Sequence, residues 1–308
     1  MSFNYRRMSR RTKKCKKNVR TRGKSRIGIK KQKKIGGASL VNRACIFTFT
    51  GTSGFGSTAN FFIPVYILAK KQNRPFFLDD SSWYYGKWHD YFKSLNIWAK
   101  PQKDNTVEYT HGNTVEPSLV KDYTDAINDI YVLNDDLMNT VNKFKEEIGG
   151  PYKSIYVRRG DKVSGASKEN DATDLAELLK MTDIQGGDNL FVMTDDYTVI
   201  EELKELMPDL RISTMTKSSM RGANSLKLEA LEKELVNEHG KELFTSIQVI
   251  LGSTKGWVDN RSNMGRFIKL ASPNTMILYP QEPNSDITAD TMIIDPGRIL
   301  LGHQPKEE

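Results

Sequence analysis

Cysteine is nearly absent: Cys15 and Cys45 are the only two in 308 residues. No disulfide framework is therefore implied, and a reducing, cytoplasmic location is the simplest expectation. Long apolar runs are missing too. The longest candidate, residues 61–69, falls well short of the roughly 20 residues that span a bilayer and carries Pro64. The basic start lacks the apolar region of a secretory signal. Acid is absent from residues 1–36, which hold 16 of the 46 Lys and Arg. The other 30 basic residues face all 38 acidic ones, so a body of net −8 lies behind the whole-chain charge of +8. The pI of 9.2 thus reports a tail, not a nucleic-acid-binding fold.

Residues 1–37 are poor in apolar side chains and saturated with like charge, which predicts disorder. Two parts are open to such a tail. It is a solvated extension, or an arm that docks on nucleic acid, an anionic membrane or an acidic partner. Aromatics that could stack on bases are limited to Phe3 and Tyr5.

What the chain does contain is alternation of short apolar strands with amphipathic helices. In the first half, strands are expected at 44–49 and 75–78, with a glycine-rich turn at 51–58 leading into a helix from near Thr58. Residues 100–111 read as polar and turn-rich, and 118–147 carry helical periodicity. Gly149-Gly150-Pro151 marks a domain boundary. In the second half, strands are expected at 154–157, 190–193, 211–213, 256–258 and 275–278. Helices are expected near 174–181, 199–207, 226–251 with a break at Gly240, and 262–270. The pattern predicts α/β architecture with two Rossmann-like domains facing each other. The divisions are a disordered basic tail at 1–37, an N-terminal domain at 38–150, a nucleotide-binding domain at 151–282 and a C-terminal extension at 283–308.

The chemistry concentrates where the strand at 154–157 meets Arg158, Arg159, Gly160, Asp161 and Lys162. An open α/β sheet binds ligands at the carboxyl ends of its strands. Guanidinium groups there could grip an anion bidentately. Either arginine could instead be structural, paired with a carboxylate. Gly51 to Thr58 fits the phosphate-loop pattern except that Ser57 replaces the lysine, so the β- and γ-phosphates of a nucleotide would lack their cation. Gly54 and Gly56 would let the backbone approach a ligand, or form a tight turn. Residues 83–98 hold three of the four tryptophans, with aromatic faces that suit a core or a sugar ring.

Val157-Arg158-Arg159-Gly160-Asp161-Lys162-Val163 resembles the Arg-Arg motif shared by the α1,6-fucosyltransferases, rhizobial and eukaryotic, and the α1,2-fucosyltransferases. Phe191 to Asp196 resembles the family's Ala-Thr-Asp-Asp block, and Arg261 to Arg266 its Ser-Ser-x-x-x-Arg block. Gly54-Phe55-Gly56, with Trp83 to Trp88, resembles its glycine loop and Trp-x-Tyr segment. These blocks run collinearly from about residue 51 to 272. The resemblance implies a GT-B-like, inverting, metal-independent transferase moving fucose from GDP-fucose, or a related GDP-sugar, to a glycan hydroxyl. No separate cofactor is implied.

The resemblance implies donor contacts from Gly54, Gly56, Tyr156, Arg158, Arg159, Asp161, Asp195, Asp196, Ser262, Asn263 and Arg266, with Arg158 chiefly on the diphosphate. Catalytic parts fall to Arg158, Lys162 and Glu169, the last as the nearest carboxylate for a general base. The family's guanosine-binding aspartate falls on Ser246, with Glu242 one turn earlier as a possible substitute. No Asp-x-Asp pair is present to hold a metal, and neighbours such as Asp195 and Asp196 point to opposite sides of an extended backbone. Two other classes stay open: a nucleic-acid or virion-associated binding protein acting through the tail, and a phosphoryl or sulfuryl transferase using Gly51 to Thr58.

Overall fold

The computed structural model describes residues 43–50, 54–95, 106–110, 118–160, 174–222, 232–259, 262–272, 274–279 and 293–294. The expectations for the basic tail and for Asp161, Lys162 and Glu169 lie outside the described residues.

The first sheet is built on β1 (Ala44–Thr48), whose Cys45 and Phe47 are fully buried. It pairs in parallel with β2 (Phe76–Asp79) and with β3 (Thr106–Thr110), in the order β2-β1-β3. β3 corrects the expectation of a turn-rich 100–111. Its Thr-Val-Glu-Tyr-Thr run has the β-branched and aromatic content of a strand, despite its polarity. Helix α1 (Phe55–Lys71) begins three residues before the expected Thr58. Gly54 caps it in extended conformation, and the Thr58 amide already donates to the Gly54 carbonyl at 3.1 Å.

The helical stretch expected at 118–147 is two helices, α2 (Val120–Ile130) and α3 (Asp135–Ile148). Between them the chain extends to pair with residues 91–93: Lys93 N donates to Val132 O at 2.8 Å, and Asn134 N to Tyr91 O at 2.9 Å. Asn134 then caps α3, accepting from Leu137 N at 3.0 Å. β4 (Ser118–Leu119), just before α2, pairs antiparallel with β10 (Ile293–Ile294). Residues near the C-terminus thus return to the N-terminal half.

The second sheet follows the expected alternation closely. Its elements are β5 (Lys153–Val157), α4 (Leu175–Lys180), β6 (Asn189–Thr194), α5 (Thr198–Leu206), β7 (Arg211–Ser213), α6 (Lys233–Leu251), β8 (Lys255–Asp259), α7 (Asn263–Ala271) and β9 (Thr275–Tyr279). All its strands are parallel, in the order β7-β6-β5-β8-β9. Gly240 does not break α6. A Cβ there would lie 2.7 Å from the Tyr91 hydroxyl oxygen, so the glycine lets the helix pass over a buried ring.

One continuous core joins the two sheets. Phe55 of α1 sits edge-on to Phe244 of α6 and Phe267 of α7, with ring centroids 4.8 and 5.2 Å apart. Trp83, Tyr85, Trp88, Tyr91 and Phe92 are buried in the same cluster, so this aromatic segment is core. Burying several aromatic side chains, each contributing about 2–3 kcal/mol, holds the halves in register. Among the described residues no helix is long and apolar enough to cross a membrane.

Candidate active site

The strand order of the second sheet reverses between β5 and β8, and an open α/β sheet forms its ligand crevice at the carboxyl ends of the strands flanking such a point. Those ends are Val157, followed by Arg158, and Asp259, followed by the start of α7. Arg158 and Ser262 therefore come together across the crevice. Beside both lies the buried Tyr156 phenol, whose titration each of the two side chains influences. Burial raises that phenol's pKa above the ordinary value; the Arg158 charge opposes the shift.

Ser262 caps α7, its hydroxyl accepting from the Gly265 amide at 2.9 Å. The amides of Asn263 and Met264, in the first turn, belong to the helix end that favours an anion. The start of α1 lies against this end: a Cβ on Gly56 would come 2.7 Å from the Met264 amide nitrogen and 2.9 Å from the Asn263 carbonyl carbon. Tyr85 completes the cluster from the first half. Its phenol lies within the influence of the Phe55 amide, the first of α1, and of the Arg158 charge. Burial pushes it up to about 12, the largest influence on it.

Several expected donor contacts have other parts in the structure. Gly54 is exposed, with φ −59°, and a Cβ on it would meet nothing within 4 Å. Gly56 does permit a close approach, but to the backbone of α7. Asn263 accepts through Oδ1 from Asn60 Nδ2 at 3.0 Å and from Arg266 Nη1 at 3.3 Å, which ties α1 to α7. Burial lowers the Arg266 pKa, and the Asp259 charge opposes this.

Arg159 turns away from the crevice, its Nη1 2.6 Å from Glu202 Oε2 on α5. Asp195 accepts from the consecutive amides of Arg159 and Gly160 at 2.8 and 3.0 Å. Two successive amides of this kind make an anion-binding concavity, and here a carboxylate already fills it. Asp196 accepts from the Thr198 amide and hydroxyl at 2.9 and 2.8 Å, holding the turn into α5. Glu242 pairs with Lys217 at 2.6 Å, and Ser246 is buried in α6.

Sequence reasoning misses Tyr85 as a neighbour of Arg158, Asn60 as a partner of Asn263 and Glu202 as a partner of Arg159. Tyr85 carries a weak signal, lying in the aromatic run already singled out. Spacing along the chain carries none for the other two. The start of α1 also departs from a phosphate loop. Phe55 to Thr58 are helical, and the Thr58 amide is engaged by the Gly54 carbonyl.

Arg158 and the Ser262-capped start of α7, both near the Tyr156 phenol, bring positive charge to the crevice. No protein-family model matches the chain, and no curated protein matches it. Its backbone is similar to the crystal structure of NodZ α1,6-fucosyltransferase soaked with GDP-fucose, at 12% identity and a TM-score of 0.52, over 82% of this chain and 99% of that one. A second crystal structure, of fucosyltransferase NodZ from Bradyrhizobium, matches at 13% identity and 0.52 over the same shares. The fold is that of the NodZ fucosyltransferases. This agrees with the GT-B-like architecture expected from the Arg-Arg, Asp-Asp and Ser-x-x-x-Arg blocks.

Proposed function

We propose that the chain is a glycosyltransferase that binds a GDP-sugar, GDP-fucose foremost, and transfers the sugar to a glycan hydroxyl with inversion and without a metal ion. The observation that carries this reading is the meeting of Arg158 with the Ser262-capped start of α7 at the switch point, inside a fold shared with fucosyltransferases. In the reaction the acceptor oxygen bonds to the anomeric carbon as the bond from that carbon to the β-phosphate oxygen breaks. The electron pair, and with it negative charge, passes to the diphosphate. Arg158 and the α7 amides supply positive charge fixed in advance, which is the form of stabilisation that lowers such a barrier. The acceptor proton goes to a general base, for which Glu169 is proposed, with Lys162 proposed as a second catalytic residue.

Calorimetric titration of GDP, UDP, ADP and CMP without added metal tests the proposal. GDP should bind tightest, and Arg158→Ala should remove most of that affinity. Preference for another nucleotide, or GDP binding indifferent to Arg158, overturns it.

The charge asymmetry of residues 1–36 supports a second role alongside the first, as an arm for polyanions or an anionic surface. Deleting those residues separates the two roles. The enzyme reading requires GDP binding to survive the deletion.

A further inference from the structure

We infer that Asp195 is a positioning residue for Arg158, acting through the backbone of the turn rather than on the ligand. The inference rests on the reading of the crevice as a nucleoside-diphosphate site. Each oxygen of the Asp195 carboxylate takes one amide, Arg159 N on Oδ1 and Gly160 N on Oδ2. The Arg159 amide belongs to the same planar peptide as the Arg158 carbonyl. Holding it fixes the Arg158 ψ angle, and with it the direction in which that side chain leaves the backbone.

The turn is braced from its far side as well. Gly222 donates its amide to the Asp195 carbonyl at 2.8 Å. Its φ is +82°, and a Cβ on it would lie 2.8 Å from Gly160 Cα. The segment after β7 therefore lies backbone to backbone on the Arg158-Arg159-Gly160 turn. That segment is fastened by the Tyr197 amide donating to Met220 O at 3.0 Å and by the Lys217–Glu242 pair at 2.6 Å. The Arg159–Glu202 pair ties the same turn to α5. Arg158, immediately before the two held amides, lies near the buried Tyr156 phenol in the crevice.

A guanidinium gains much of its strength on a diphosphate from two-pronged geometry, so a small loss of direction weakens that contact selectively. Asp195→Asn keeps the size of the side chain and removes one of its two acceptors, since an amide NH2 cannot accept an N–H. The test is calorimetric titration of GDP and GMP against the full chain, Asp195→Asn, Gly222→Ala and Arg158→Ala, with thermal midpoints beside it. The expected result is a preference for GDP over GMP that falls on the order of tenfold in Asp195→Asn, about the size of one lost charge-assisted hydrogen bond. GMP affinity and the thermal midpoint should stay near those of the parent. Gly222→Ala should move the preference the same way.

A folded Asp195→Asn that keeps the full GDP preference overturns the inference. So does a parallel fall in GDP and GMP affinity, the mark of a merely structural residue. A parent protein with no GDP preference, or one that Arg158→Ala leaves intact, overturns the nucleotide reading itself and this inference with it.

Discussion

Gly56 and Met264 meet through bare backbone, the Cβ position of one lying 2.7 Å from the amide nitrogen of the other. The contact sets the N-terminal turns of α1 and α7 against each other. Each helix start carries a partial positive charge of about half a unit, so the pair repel in the absence of an anion. A phosphate placed there would relieve the repulsion and bind both halves at once. The same closeness explains why the second position of α1 is glycine.

Gly56→Ala should accordingly lower stability by about 1–3 kcal/mol, the usual cost of forcing an extra methyl group into a packed contact. Gly54→Ala should change it little, because a Cβ there meets open space. Chemical denaturation of the two variants side by side checks the difference. Equal effects would mean that the helices shift apart freely.

Arg158→Ala and Arg158→Lys should both lose nucleotide affinity, by about 2–5 kcal/mol for a charge-assisted contact to a diphosphate, while keeping the parent's circular dichroism. Lysine preserves the charge but not the planar fork. An Arg158→Lys protein with parental transfer rates would show that charge alone suffices.

The fold was largely legible because a parallel sheet needs apolar strands at regular spacing, and the segments at 190–193 and 211–213 have no other plausible use. Where the reading failed, a tertiary contact decided the outcome. Gly240 looks like a helix breaker until the Tyr91 ring is seen beneath it. Residues 131–134 look helical until their pairing with residues 91–93 is known. Arg158 was legible in the site because its motif sits at a strand end. The parts of Asp195, Arg159 and Asn263 were not. Each depends on a partner at least 35 positions away, which no local pattern encodes.

Alkaline pH should unfold the protein through its buried phenols. Burial raises Tyr85 and Tyr152 from an ordinary 10.0 to about 12, and raises Tyr91 and Tyr131 as well. A phenol whose folded pKa is raised contributes its full stability below the unfolded pKa. The contribution declines as pH rises from about 10 and is gone above the folded value. Denaturation midpoints measured from pH 8 to 12 (a range of about four units around the ordinary phenol pKa) should fall steeply in the upper half. Tyr85→Phe should make that fall shallower; an unchanged slope would place Tyr85 outside the linkage.

Transfer should persist in excess EDTA, because the proposed charge on the leaving diphosphate is met by Arg158 and the α7 amides. Two donors of this kind can replace a cation when they are fixed before the reaction begins. Loss of transfer on chelation, restored by Mg²⁺ or Mn²⁺, would refute the metal-free mechanism.

The tail can be separated from the body by salt. Its 16 cations without a single acid should give the full chain an affinity for polyanions or anionic vesicles that falls steeply as ionic strength rises, since each phosphate neutralised releases counterions. The rest of the chain, at net −8, should not bind them. Removing residues 1–34 should leave GDP affinity and transfer to a small acceptor unchanged, because none of the sequence blocks that carry the fucosyltransferase resemblance lies there. Co-sedimentation with vesicles at two salt concentrations and a transfer assay on the truncated chain measure both halves of the expectation. A folded, truncated protein that loses transfer on that acceptor would place part of the tail in the site, and the division between docking arm and catalytic body would fall.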